Sequence, residues 1–240
     1  MGELGTPGNE QSLSVYTKTV NCSIIRAPAM TRLIVNHFND TCIFHSLGAA
    51  TESHYKRRGA LSIPKEDFEV TLSIDDYVSQ YNKMISGELG TEPGGGRGQS
   101  RMHVALRVLQ EIGIAAEDPG LEGMRYKIYN WKMINKEDVK FKEIAEEIGI
   151  KARVMAAGFK ISSNFRTTKP GEIYSYEPNK REKNEDGVTR SHCVLVVGFG
   201  RREGQEYLVY QNSAGIEFGE EGFGRVYLKD VLRMATLNVI

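Results

Sequence analysis

The feature that most restricts the fold is a pair of apolar runs near the C-terminus. Residues 193–199, CVLVVGF, are almost continuously apolar, and residues 206–212, EYLVYQN, follow across a glycine-bounded stretch at 200–204. β-branched and aromatic runs at that separation predict an antiparallel hairpin with its turn in 200–204. The near-continuous apolar character of the first run marks a buried strand. A hairpin of this kind is stable only inside a larger sheet. The chain has the material for one, since 40% of its 240 residues are hydrophobic against 26% charged, with a mean hydropathy of -0.38. That composition excludes wholesale disorder.

The first half reads as helical. From Cys42 to about Arg58, Ile43, Leu47 and Ala50 recur at helical spacing behind the capping candidates Asn39, Asp40 and Thr41. Ser73 stands three residues before Asp76, the pattern of a helix N-cap followed by an acid. Val104, Leu106, Val108, Leu109 and Ile112 line one face of a third helix that Gly113 terminates. Beyond Gly120 the texture becomes extended. Residues 126–134 alternate as a half-buried strand, a helix spans 139–148, and residues 152–156 resume extended character. A charged loop at 180–186 precedes the hairpin, and residues 225–228 are expected to form the last strand. Residues 1–14 lack periodicity and are expected to be a flexible N-terminus, leaving 15–240 as one domain with a helical lobe over 15–118 and a β-rich lobe over 119–240.

Charge narrows the function classes. Lys+Arg 31 against Asp+Glu 31 gives a net charge of +0, so no long-range field gathers phosphates and nucleic acid is not the expected partner. No apolar stretch is long enough to span a bilayer, and no membrane partner is expected. Three cysteines, Cys22, Cys42 and Cys193, are too few and too scattered for a disulfide framework or a cysteine-rich zinc site. His37, Cys42 and His45 lack a fourth ligand at recognised zinc spacing, and residues 94–98 form a glycine run without the Lys-Ser/Thr of a phosphate loop. Neither a metal nor a cofactor is expected.

A thiol at a helix start gains nucleophilic character from the helix terminus and from a nearby imidazolium, and Cys42 stands at such a start. His192 opens the first strand of the hairpin and Asn212 closes the second, so adjacent strand ends bring base and amide together. An amide oxygen that accepts from the imidazole fixes its ring and tautomer. Cys193 alternates away from His192 and is read as a small buried hydrophobe, and Cys22 as a spare thiol.

These residues resemble the papain-like cysteine peptidases from about Cys22 to Leu228. The most specific segment runs from Ser191-His192-Cys193 through Asn212-Ser213-Ala214-Gly215 to Gly222-Phe223, similar to the family's His-strand-turn-strand-Asn-Ser-Trp-Gly block. Cys42 with Glu52 ten positions later is similar to the family's nucleophile helix. His192 lies 192 − 42 = 150 residues downstream, at the upper edge of the roughly 130–150 expected. A rival alignment moves Cys42 to an upstream cysteine position and puts His45 in the nucleophile's place, at the expense of the Glu52 match.

The resemblance implies an α+β, two-lobed fold: a helical left lobe, an antiparallel β-barrel right lobe and an active-site cleft between them. It implies a cysteine endopeptidase that works through Cys42, His192 and Asn212 and a thioester acyl-enzyme, with Asn36, or His37, in the place of the oxyanion-hole Gln and Gly94, Gly95 and Gly96 along the substrate cleft. The chain departs from the pattern at Ile43 and Ala214, where the family usually has Trp, and the second change is expected to expose the His–Asn hydrogen bond. These departures motivate the alternative, a catalytically silent relative that binds peptides or proteins. Asn39 and Gln80 replace two disulfide cysteines, which fits a reducing compartment. The expected partners are a peptide or protein substrate and protein inhibitors of cysteine peptidases, with the chain monomeric. As written it is expected in the cytoplasm, or in lysosome, vacuole or extracellular space if it is a trimmed mature form.

Overall fold

A computed structural model describes residues 41–61, 70–87, 99–118, 120–121, 123–184 and 187–240. The expectations for residues 1–14, Cys22, Asn36, His37, Asn39, Asp40 and Gly94 to Gly96 fall outside these residues. Three helices come first: α1 (Cys42–Leu61), α2 (Ile74–Ser86) and α3 (Gln99–Glu111). The Ser73 hydroxyl accepts the Asp76 amide at 3.3 Å and caps α2, as its spacing predicts. Gly113, at φ +82, takes the left-handed conformation that ends α3, its N–H bonding the Val108 carbonyl at 2.8 Å.

The second half is strand-rich. A short pair, β1 (Ile114–Ala115) with β2 (Arg125–Tyr126), leads into β3 (Ile128–Asn135). The helix expected at 139–148 is a composite: a helical turn, α4 (Phe141–Ala145), runs into a wider turn over Glu146–Ile150. Then follow β4 (Met155–Lys160), β5 (Ile173–Tyr174), β6 (Ser191–Arg202), β7 (Gln205–Gln211), β8 (Phe223–Tyr227) and β9 (Val231–Val239). The large sheet is ordered β3-β9-β4-β6-β7-β8-β5, antiparallel except for the β5–β8 pair.

Several sequence expectations change here. The right lobe was expected as a barrel, and its hydrogen bonding describes an open seven-stranded sheet with β3 and β5 at its ends. The hairpin turn is tighter than 200–204, because β6 continues to Arg202 and only Glu203 and Gly204, both at positive φ, make the reversal. The chain also does not finish its strands at 228. β9 sits between β3 and β4 in the sheet. The sequence 231–239, VLRMATLNV, hides this strand because Arg233 and Thr236 blur its alternation.

The sheet separates two cores. On one face Cys193, Leu195, Ala156, Ala235 and Leu237 pack against the helices through Ile43, Leu47 and Ala50 of α1 and Leu106 and Leu109 of α3. On the other, Val194, Val196, Ala157, Phe159, Leu208, Tyr210 and Met234 pack with Ile144 and Phe165. Period-two alternation along β6 and β4 accounts for the partition, and it sends His192 and Cys193 to opposite faces.

Candidate active site

Cys42 is the first residue of α1, fixed by the turn before it: the Thr41 carbonyl accepts the amides of Phe44 and His45 at 3.0 and 3.1 Å. The helix lies on the sheet, and its first residue meets the start of β6, where His192 stands. The Cys42 thiol and the His192 ring are within hydrogen-bonding reach of one another. The other face of the same problem is solved by β7, which ends at Gln211 and delivers Asn212 beside the ring. His192 Nε2 lies 2.7 Å from Asn212 Oδ1.

The tautomer follows from the next bond. Asn212 Oδ1 also accepts the backbone amide of Ser213 at 2.9 Å. A backbone N–H only donates, so the atom facing it is the amide oxygen, and His192 Nε2 must carry a proton to bond the same oxygen. That leaves Nδ1 as the nitrogen able to exchange a proton with Cys42. The Asn212 backbone is anchored in turn by its N–H on the Gly222 carbonyl at 2.9 Å.

Electrostatics favour charge separation between the two groups. Burial pulls the His192 pKa down. The Cys42 hydrogen bond and charge, helped by the Asn212 hydrogen bond, outweigh it and leave the imidazole above its ordinary value. Aromatic rings hold the imidazole in place: Phe165 at 5.2 Å and Phe159 at 6.1 Å between centroids. Phe218 stacks on Phe165 at 5.4 Å. These rings overturn the expectation that Ala214 exposes the His–Asn bond, since Asn212 is only 3% exposed. Nothing in the local sequence marks Phe159, Phe165 and Phe218 as neighbours of His192; only the sheet, the 163–167 turn and the 212–223 loop assemble them.

Cys193 behaves as expected of a packed side chain. It is 5% exposed, and burial, followed by the neighbouring Cys42 charge, pushes its thiol far above the usual range. His45, the rival candidate, lies one turn along α1, where burial lowers its pKa against the opposing pull of Asp75. It is Cys42 that meets His192. Among the described residues no group of three or more His, Cys, Asp or Glu is placed to hold a metal ion, and no helix is long and apolar enough to cross a membrane.

Two titratable groups on α1 serve the scaffold. Glu52 Oε1 accepts the Leu72 amide at 2.7 Å, and burial raises its pKa to about 7 against that bond. His54 donates from Nε2 to the Val154 carbonyl at 3.1 Å, tying α1 to the residue before β4, and burial lowers its pKa to about 4. The Glu52 position was legible through the resemblance, which places a Glu ten residues after Cys42; the role of His54 was not, because its partner lies 100 residues away.

Comparisons with known proteins agree with this geometry. The family model of the papain family cysteine proteases matches residues 117–237, half of the chain. A structure from work on antibody cross-reactivity between the mite allergens Blo t 1 and Der p 1 is 20% identical with a TM-score of 0.57, covering 82% of this chain and 64% of that one. A procathepsin B from Trypanosoma congolense is 15% identical with a TM-score of 0.59, covering 93% and 75%. A digestive procathepsin L2 proteinase from the larval midgut of Tenebrio molitor is 19% identical with a TM-score of 0.53, covering 85% and 65%. The chain thus spans just under two thirds of the mite and beetle chains. A search of curated protein sequences finds no match. With the fold shared by these structures and the family model spanning the β6–β7 hairpin, the chain belongs to the papain family of cysteine proteases.

Proposed function

We propose that the chain is a cysteine peptidase that hydrolyses peptide bonds with Cys42 as nucleophile, His192 as general acid and base, and Asn212 as the group that orients His192. The observation that carries this reading is the shared imidazole: Nε2 is committed to Asn212 Oδ1 at 2.7 Å while the ring is also within hydrogen-bonding reach of the Cys42 thiol. Cys42 gives its proton to His192 Nδ1, and the thiolate attacks the carbonyl carbon to form a tetrahedral oxyanion. The Cys42 backbone amide at the helix start, with Asn36 or His37, is the donor set proposed for that oxygen. His192 then protonates the leaving amine, and the C–N bond breaks to give a thioester. Water, deprotonated by His192, attacks the thioester and releases the acid, returning the proton to the thiol.

The test is turnover of a fluorogenic peptide library under reducing conditions by the wild type, Cys42→Ala and His192→Ala, each verified as folded by thermal melting. Turnover that vanishes in both variants is the expected result. A folded wild type no faster than either variant would refute peptidase activity and leave the peptide-binding alternative, to which Ile43 and Ala214 belong.

A further inference from the structure

The described residues carry two thiols, Cys42 at the start of α1 and Cys193 on β6, and the peptide-bond chemistry uses only the first. The second belongs to the same apolar core against which Cys42 packs. Ser46 joins them. Its hydroxyl, one helical turn after Cys42, donates its single proton to the Cys42 carbonyl at 2.8 Å, so the Cys193 S–H is the donor in its own hydrogen bond to Ser46 Oγ. Side chains at i and i+4 of a helix are neighbours, about 5–6 Å apart at Cβ. Cys193 therefore touches the position next to Cys42 along α1. It lies close enough to the nucleophile that a thiolate at Cys42 disfavours a second one at Cys193, an effect exceeded only by burial.

The two thiols differ as a redox pair requires. Cys42 is half-buried and shares its proton with His192, so it offers a thiolate where a small oxidant can reach it. Cys193 is 5% exposed and held in its protonated form, so peroxide meets Cys42 first. A sulfenic acid formed at Cys42 then has a thiol beside it.

We propose that Cys193 is the resolving thiol of Cys42, and that peroxide converts the pair into a reversible Cys42–Cys193 disulfide that switches the site off. In the first step the Cys42 thiolate attacks a peroxide oxygen and the O–O bond breaks; with one proton taken up, the products are the Cys42 sulfenic acid and water. In the second the Cys193 sulfur attacks the Cys42 sulfur, the S–O bond breaks, and the hydroxide leaves with the Cys193 proton as water. Two thiols are oxidised to one disulfide, and one peroxide is reduced to two waters. The bond takes the Cys42 sulfur away from His192 and so removes the nucleophile. A dithiol reverses it by exchange. The effect on turnover rests on the peptidase reading; the cross-link itself does not.

The experiment takes wild type, Cys193→Ala, Cys193→Ser and Cys22→Ser, removes reductant, and adds hydrogen peroxide and then dithiothreitol. Two quantities are read at each stage: turnover of the fluorogenic library, and the linkage of cysteine-bearing peptides by mass spectrometry after alkylation and digestion without reductant. Wild type and Cys22→Ser should lose turnover, yield a peptide pair joined through Cys42 and Cys193, and recover with dithiothreitol. Cys193→Ala and Cys193→Ser should lose turnover without recovery, because a sulfenic acid with no resolving thiol goes on to the sulfinic acid. Turnover in wild type that ends with Cys42 as sulfinic acid or joined to Cys22, or that recovers as fully in both Cys193 variants, overturns the inference and leaves the peptidase intact. A Cys42–Cys193 cross-link in a folded chain without turnover overturns the peptidase and leaves the cross-link. Neither turnover nor cross-link overturns both. Melting temperatures of the Cys193 variants within a few degrees of wild type exclude misfolding, and the peptide mapping of wild type needs no variant.

Discussion

Replacing Glu52 by Gln should uncover a pH dependence of stability that the native protein cancels internally. Glu52 has its pKa raised by burial from 4.5 to about 7, so the folded state holds a proton that the unfolded chain has lost. Its stabilising contribution is complete below pH 4.5 and is lost as pH rises towards 7. His54 runs the other way. Its pKa falls from 6.5 to about 4, so its contribution is complete above pH 6.5 and is lost as pH falls towards 4. Between pH 4.5 and 6.5 the two slopes are each about 1.4 kcal/mol per pH unit and opposite in sign. The parent protein is therefore flat with respect to this pair. In Glu52→Gln the amide oxygen still accepts the Leu72 N–H, but the carboxyl slope is gone. Stability relative to the parent should then rise by about 3 kcal/mol from pH 4.5 to 6.5. His54→Gln, which keeps a donor for the Val154 carbonyl, should show the reverse slope. Urea unfolding at pH 4.5, 5.5 and 6.5 measures both, and taking differences from the parent removes the other carboxylates. Parallel parent and Glu52→Gln curves would refute the buried, protonated carboxyl.

Three further outcomes follow from particular contacts. Asn212→Ala should lower kcat/KM by about 10- to 100-fold, and it should move the alkaline limb of the pH–rate profile to lower pH, because the Asn212 bond helps to raise the His192 pKa. Gly200→Ala should cost about 1–3 kcal/mol in urea unfolding, since the added Cβ would strike the buried ring of Tyr207, its cross-strand partner. Ser73→Ala should cost about 1 kcal/mol by loss of the α2 N-cap, read as a lower melting temperature with unchanged turnover per folded molecule.

Local physics wrote a good part of this molecule into short stretches of its sequence. The helix start at Cys42, the Ser73 cap, the Gly113 stop and the β6–β7 hairpin each depend on residues within a few positions of one another, so spacing and backbone preference suffice to find them. The pairing of His192 with Asn212 was legible for the same reason, since a tight hairpin at Glu203-Gly204 forces its two strand ends together. The contact of Cys42 with His192 was legible only through the resemblance, because no local rule joins residues 150 positions apart.

Tertiary structure decided what distant segments share. Residues 231–239 became a strand between β3 and β4 because two partners supply the hydrogen bonds and cores that their own weak alternation does not advertise. The rings around His192 and the α1-to-β4 tie through His54 exist only once β4 and β6 are in register and α1 lies on them. Chain sequence determines which side chains an element offers; which of them meet across the sheet is set by burial of two apolar faces at once, and that condition belongs to the whole chain.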